Sequence, residues 1–216
     1  MLALYGHPFS SYTWKALIAL YANATPFEFR VVDADHPDHA ETVAQAGPLA
    51  KFPVLSDDGN LIFEATSIIE YLAEHHAGEH QLLPDNADAA IAARMLDRVF
   101  DNYVMNVMQV VVDEHIHNQG ALDQARIARA RTQLKRTYRW LDSWLEYYPA
   151  GYEITLIECA AAPSLFYADW VEQITGEWPR LRRWRAHLNA LPPVSRCIED
   201  ARPFRHYFPL GAPDRD

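Results

Sequence analysis

The sequence predicts an α/β unit followed by an all-helical unit, and three observations carry that reading. A short apolar strand, a helical stretch and an alternating strand follow one another near the N-terminus, the pattern of a parallel βαβ unit with a right-handed crossover. Two apolar runs around Ser56-Asp57-Asp58-Gly59-Asn60 read as a hairpin, and helical spacing resumes just after it at Ile68, Ile69 and Leu72. Beyond a stretch at 78–87 that holds Gly, Pro and Asn, every periodic segment is helical. The expected order is βαβαββα over 1–77, then helices over 88–216.

The elements follow in order. Leu2-Ala3-Leu4-Tyr5 is a strand, and Gly6 to Phe9 is a loop by its Gly and Pro. Ser10-Ser11-Tyr12-Thr13 opens a helix, with a serine as N-cap. Leu17, Ile18 and Leu20 are its core positions. Residues 27–32 alternate as a second strand, and the polar stretch 33–45 forms a short irregular helix. Phe52-Pro53-Val54-Leu55 is apolar but holds a proline, which a central strand should not carry because it lacks a donor. A cis Phe52–Pro53 bond would instead make a tight turn into the strand. That turn leaves the Phe52 N–H and C=O free for an extended peptide ligand. Leu61-Ile62-Phe63 is the return strand. The helix after Glu64 starts with free N–H groups suited to a carboxylate, while Glu64 itself suits an amine. Further helices are expected over 89–115, 121–144, 178–191 and 194–200, the last two separated by Pro192-Pro193, with a connection over 147–151. Thr155 with Glu158 three residues on reads as a capping box ahead of an apolar run.

Composition excludes several classes. The chain has 216 residues, half of them hydrophobic, and a formal net charge of −10. Such a balance supports a core and argues against nucleic-acid or anionic-membrane partners. No secretory leader and no run near the ~20 apolar residues of a membrane span are expected. Cys159 and Cys197 stand far apart, which suits a reducing cytoplasm rather than a disulfide framework. His36-Pro37-Asp38-His39 is a poor metal motif, because the proline spoils helical presentation, and no metal is expected.

Lys51-Phe52-Pro53-Val54-Leu55, the hairpin, and then Glu64-Ala65-Thr66-Ser67-Ile68-Ile69-Glu70-Tyr71-Leu72 resemble the glutathione-binding half of a cytosolic glutathione transferase. The Thr155 box and the run to Tyr167 are similar to the buried central helix of that family's all-α domain. The resemblance implies a thioredoxin-like N-terminal domain, an all-α domain contributing the electrophile pocket, and a homodimer of the serine type found in bacteria. Glutathione would be the co-substrate, without a metal. Its thiol would attack a small apolar electrophile or an organic hydroperoxide. Ser10 would stabilise the thiolate, with Ser11 as runner-up, since a hydroxyl donated to sulfur favours the charged form. Lys51, Phe52, Pro53, Glu64 and the Ala65 N–H would hold the tripeptide, and His39 would touch its glycyl end. Ala65 departs from the family's usual serine, and Thr66 is the candidate to replace that hydroxyl. Tyr103, Met105 and Met108 are expected to line the electrophile pocket, with Asp101 and Asn102 as polar handles. Two rival functions stay open: a catalytically silent binding protein on the same fold, and a zeta-like glutathione-dependent isomerase.

Overall fold

The computed structural model describes residues 1–118, 120–148 and 153–216. Its sheet has four strands, β1 (Leu2–Gly6), β2 (Glu28–Val31), β3 (Val54–Asp57) and β4 (Asn60–Phe63), in the order β2-β1-β3-β4. β1 runs parallel to β2 and antiparallel to β3, and β4 is antiparallel to β3. Helix α1 (Ser11–Ala22) makes the crossover between β1 and β2, and α2 (Pro37–Ala46) and α3 (Ala65–His75) complete the expected βαβαββα order. The β3–β4 turn is closed by Asp58 and Gly59, both at positive φ.

Alternation along the strands divides the two faces of the sheet. Leu2, Leu4 and Leu55 join the main core with the apolar side of α1 and α3. Ala3, Tyr5 and Val54 face the other way and pack on Val43 of α2.

The remaining elements are helical: α4 (Ala87–Val99), a π-helical stretch (Phe100–Met105), α5 (Asn106–His117), α6 (Gln124–Trp144), α7 (Leu156–Val171), α8 (Pro179–Ala190), α9 (Pro192–Ala201) and a closing 3₁₀ stretch (Arg202–Tyr207). α7 is buried along its whole length. Its N-terminus is satisfied by the capping box: Thr155 Oγ1 accepts from the Ile157 N–H at 3.1 Å, and Glu158 accepts from the Thr155 N–H at 3.0 Å. A fully buried helix cannot leave those donors to water, so the box is a condition of its burial. Trp14 of α1 packs against Phe166 and Tyr167 of α7, with ring centroids 5.0 and 5.3 Å away. The Tyr167 hydroxyl donates to the Phe9 carbonyl at 3.0 Å, and the Trp14 indole donates to that of Pro8 at 2.6 Å. The loop that leads into Ser10 is thereby pinned to the helical unit.

Two expectations change. The long helix over 89–115 is interrupted by the six-residue π stretch, which turns everything after it relative to a plain helical projection. Pro192 does not separate two helices but opens α9, where its missing N–H costs nothing. His76 Nε2 lies 2.7 Å from Asp57 Oδ2, which ties the end of α3 to β3. Of the connection expected over 147–151, residues 149–151 lie outside the described residues. Cys159 and Cys197 are buried and unpaired.

Candidate active site

A cavity of about 660 Å³ lies between the sheet and the α4–α5 helix, within the ~300–1,000 Å³ usual for small-molecule sites. Its sheet-side wall contains Tyr12, Pro48, Leu49, Lys51, Phe52, Pro53, Phe63, Glu64 and Ala65, and its helix-side wall contains Arg98, Asp101, Asn102, Asn106, Gln109 and Asp113.

The sheet-side wall offers backbone. The Phe52–Pro53 bond is cis. Among the described residues, the N–H and C=O of Phe52 take no partner in any turn, loop or cap. Gly47 packs where a Cβ would sit 3.2 Å from the Phe63 ring, so its lack of a side chain lets that ring close down beside the turn. Glu64 has φ 68°, a left-handed conformation that costs a non-glycine residue about 1–3 kcal/mol and concentrates at functional sites. It leaves the first turn of α3 without a side-chain cap. The N–H groups of Ala65, Thr66 and Ser67 have no acceptor among the described residues. A carboxylate of a ligand fits those donors and the helix dipole. Its ammonium group fits the adjacent Glu64.

Behind this wall sits a polar network. Lys15 is fully buried. Its ammonium donates to Asp97 at 2.7 Å, to Asp101 at 2.8 Å and to Thr66 at 3.2 Å. Arg98 donates to Asp101 at 2.9 Å and to the Thr66 hydroxyl at 2.7 Å. Two cations thus face two carboxylates, which is the condition for burying charge at all. Burial, with the neighbouring Asp97, holds the Asp101 carboxyl above the usual carboxylate range, against the pull of Lys15. Thr66 donates its own proton to Asp97 at 2.9 Å. Its hydroxyl is fully engaged in this network, so it does not stand in for the serine missing at Ala65.

The structure brings Lys51, Phe52, Pro53, Glu64 and Ala65 together around one cavity. Ser10 and Ser11 lie at the start of α1 but are not part of the cavity lining. Ser10 Oγ caps the helix by accepting from the Thr13 N–H at 3.2 Å, and its own proton has no acceptor among the described residues. Tyr12 is the hydroxyl residue of α1 in the lining, and its phenol donates to Asn106 at 3.3 Å. Burial, with Asp101 adding, pushes that phenol above its ordinary range, so it stays protonated. His39 is outside the lining: its Nδ1 lies 2.7 Å from the Val31 carbonyl and its ring stacks on His36, on the α2 side of the sheet.

Of the residues expected at the electrophile pocket, Asp101 and Asn102 line this cavity and Tyr103, Met105 and Met108 do not. Met105 and Met108 are buried in the core, and Tyr103 is exposed outside the lining. The lining positions 98, 102, 106, 109 and 113 recur every three or four residues, which places them on one face of the helix. Val104, Met105, Met108 and Val111 occupy the opposing core face. Ranking the apolar residues of this segment passes over Arg98, Asn106, Gln109 and Asp113. Their signal in the sequence is a polar stripe at helical spacing within an otherwise apolar run. Lys15 is missed in the same way, although a lone lysine inside Trp14-Lys15-Ala16-Leu17-Ile18 needs a buried partner.

Residues 4–80 match the model of the glutathione S-transferase N-terminal domain. Over those residues the chain carries a glutathione S-transferase N-terminal domain. Along its length it is 25% identical to glutathione S-transferase hmp2 of Hypomyces subiculosus, covering 94% of this chain and 100% of that one. It is 23% identical to a probable maleylacetoacetate isomerase of Caenorhabditis elegans, covering 93% and 94%. Its fold matches a Methylobacillus flagellatus glutathione S-transferase solved with glutathione bound, with TM-score 0.79, 24% identity and coverage of 91% and 98%. Among the described residues, no group of His, Cys, Asp and Glu is arranged to hold a metal ion, and no helix is long and apolar enough to cross a membrane.

Proposed function

We propose that the chain is a glutathione transferase that binds the tripeptide along the sheet-side wall and directs its thiolate at an electrophile held against the α4–α5 wall. In this reading residues 1–77 hold glutathione and residues 88–216 contribute the second-substrate wall. The observation that carries it is the convergence of unpaired backbone groups at Phe52 and at the start of α3 on one cavity, with Glu64 between them. The γ-glutamyl carboxylate sits on the N–H groups of Ala65 and Thr66, its amine on Glu64, and the cysteinyl backbone on Phe52. Lys51 lies within the same wall for the other carboxylate.

The thiol meets the start of α1. A free thiol has pKa near ~8.5 and is mostly protonated at neutral pH; a donated hydroxyl and a helix N-terminus both favour the thiolate. Ser10 fits this role better than Tyr12. The Ser10 proton is unengaged, whereas the Tyr12 phenol is already given to Asn106. The test is calorimetric titration with glutathione followed by turnover with a generic electrophile. Binding and turnover that both survive Ser10→Gly would remove Ser10 from the mechanism. Binding without turnover on any electrophile or hydroperoxide would favour a silent binder.

A second reading, glutathione-dependent cis–trans isomerisation, is favoured by the relatives named maleylacetoacetate isomerase. It is tested by direct assay with that substrate. A homodimer is supported by the exposed apolar side chains Ile91 and Met95 on α4, and is tested by sedimentation. Two buried, unpaired thiols suit a cytoplasmic setting.

A further inference from the structure

We propose that His7 is a positioning residue for Ser10: its neutral imidazole holds the turn that aims the Ser10 hydroxyl at the thiol of the tripeptide. The inference rests on the glutathione reading above and adds what fixes that hydroxyl in place. The segment from His7 to Ser10 belongs to no strand and precedes α1, so its backbone groups need partners of their own. The His7 N–H reaches Thr13 Oγ1 at 3.4 Å, and the His7 carbonyl accepts from the Ser10 N–H at 2.9 Å. The Phe9 N–H donates to Nδ1 of the His7 ring at 3.1 Å. The carbonyls of Pro8 and Phe9 take the Trp14 indole and the Tyr167 hydroxyl, and that of Ser10 takes the Trp14 N–H. Every main-chain donor and acceptor from His7 to Ser10 is thereby engaged, and His7 is a partner in three of those bonds. Among the described residues, the Ser10 hydroxyl proton is the polar hydrogen left over.

A backbone N–H only donates, so Nδ1 of His7 carries the lone pair and the ring proton sits on Nε2. Burial holds the imidazole below its ordinary range, against the pull of Asp33, and keeps Nδ1 an acceptor at neutral pH. Phe204 and Tyr207 of the closing 3₁₀ stretch cover the ring, with centroids 4.8 and 6.3 Å away. Phe9 is thus drawn back over His7, and Ser10 enters α1 in an extended conformation, φ −90° and ψ 123°. Without the acceptor, the Phe9 N–H is left unpaired in a partly buried loop, and the turn must shift to find it a partner. A displacement of about 1 Å is enough to cost a reacting contact.

The test follows the thiolate of bound glutathione by its ultraviolet difference absorbance across pH, in the wild type, His7→Leu, His7→Asn, Ser10→Gly and the His7→Leu/Ser10→Gly pair. Calorimetry checks binding and thermal melting checks folding. Asparagine places an acceptor oxygen where Nδ1 stands, and leucine fills the space without one. Well below the wild-type midpoint, the thiolate fraction is expected to fall roughly tenfold in His7→Leu and as far in Ser10→Gly. The pair is expected to fall no further, because both changes act through one hydroxyl. His7→Asn is expected to titrate as the wild type does, and every variant to bind glutathione. An unchanged titration in His7→Leu, a further fall in the pair, or a His7→Asn that behaves as the leucine variant overturns this inference alone. Imidazole nitrogen chemical shifts test it without any substitution: Nδ1 is expected to be the unprotonated nitrogen, and a proton there overturns it. An unchanged titration in Ser10→Gly overturns it together with the role of Ser10, and absence of glutathione binding in the wild type overturns it together with the glutathione reading.

Discussion

The two walls of the cavity recognise by different means. The sheet-side wall presents backbone: the unpaired groups of Phe52 beside a cis-proline, and the first N–H groups of α3. The helix-side wall presents side chains from Arg98 to Asp113, braced from behind by Lys15 and its carboxylates. Backbone donors survive most substitutions, since the N–H at position 65 is the same in alanine and serine, and in the proposed reading they hold glutathione. Side chains on a helix face can be exchanged one at a time, and in the same reading they select the second substrate.

The comparison breaks first at its brace. Lys15→Met leaves Asp97 and Asp101 buried without their cation, and the expected loss is about 3–5 kcal/mol of stability, read by urea denaturation. A loss under about 1 kcal/mol would mean that Arg98 alone neutralises the pair. On the sheet side, Ser10→Gly keeps most of the helix cap, since glycine costs only a few tenths of a kcal/mol there, but removes the hydroxyl. Turnover is expected to fall roughly tenfold to a hundredfold. Because the hydroxyl favours the thiolate, its loss raises the thiol pKa, and the acid limb of the kcat–pH profile moves to higher pH. Tyr12→Phe is expected to leave that limb in place; a shift there instead would transfer the role to Tyr12.

Smaller effects sharpen the same contrast. Ala65→Ser adds a hydroxyl at the start of α3, and glutathione is expected to bind roughly tenfold tighter by calorimetry, the worth of one hydrogen bond to a charged group. Lys51→Ala is expected to weaken binding by no more than about 1 kcal/mol, since an exposed lysine contributes little where backbone does the holding. A larger loss would make the sheet-side wall a side-chain site after all.

The two walls also differ in how legible they were in the sequence. The sheet-side wall was readable because its residues are nearly contiguous: Lys51 to Pro53, then Glu64 and Ala65 just past a hairpin. A proline inside an apolar run marks a turn into the strand, and a carboxylate before a helical pattern marks an open helix start. The Thr155–Glu158 box was legible for the same reason, being local. The helix-side wall depends on which way a long helix is rotated, and the π stretch at Phe100–Met105 alters that rotation without an obvious mark in composition. Apolar residues dominate most pockets, yet here Met105 and Met108 are spent on the core and Tyr103 lies outside the lining. The buried set of Lys15, Thr66, Asp97 and Asp101 joins three helices distant in sequence, so no single window could reveal it.

The central claim is the direction in which glutathione lies, and a crystal structure of the complex measures it. The account predicts the γ-glutamyl carboxylate within about 3.2 Å of the Ala65 and Thr66 N–H groups, with the cysteinyl backbone paired to Phe52. A tripeptide bound with its glycyl end at α3, or bound away from Pro53, would contradict it.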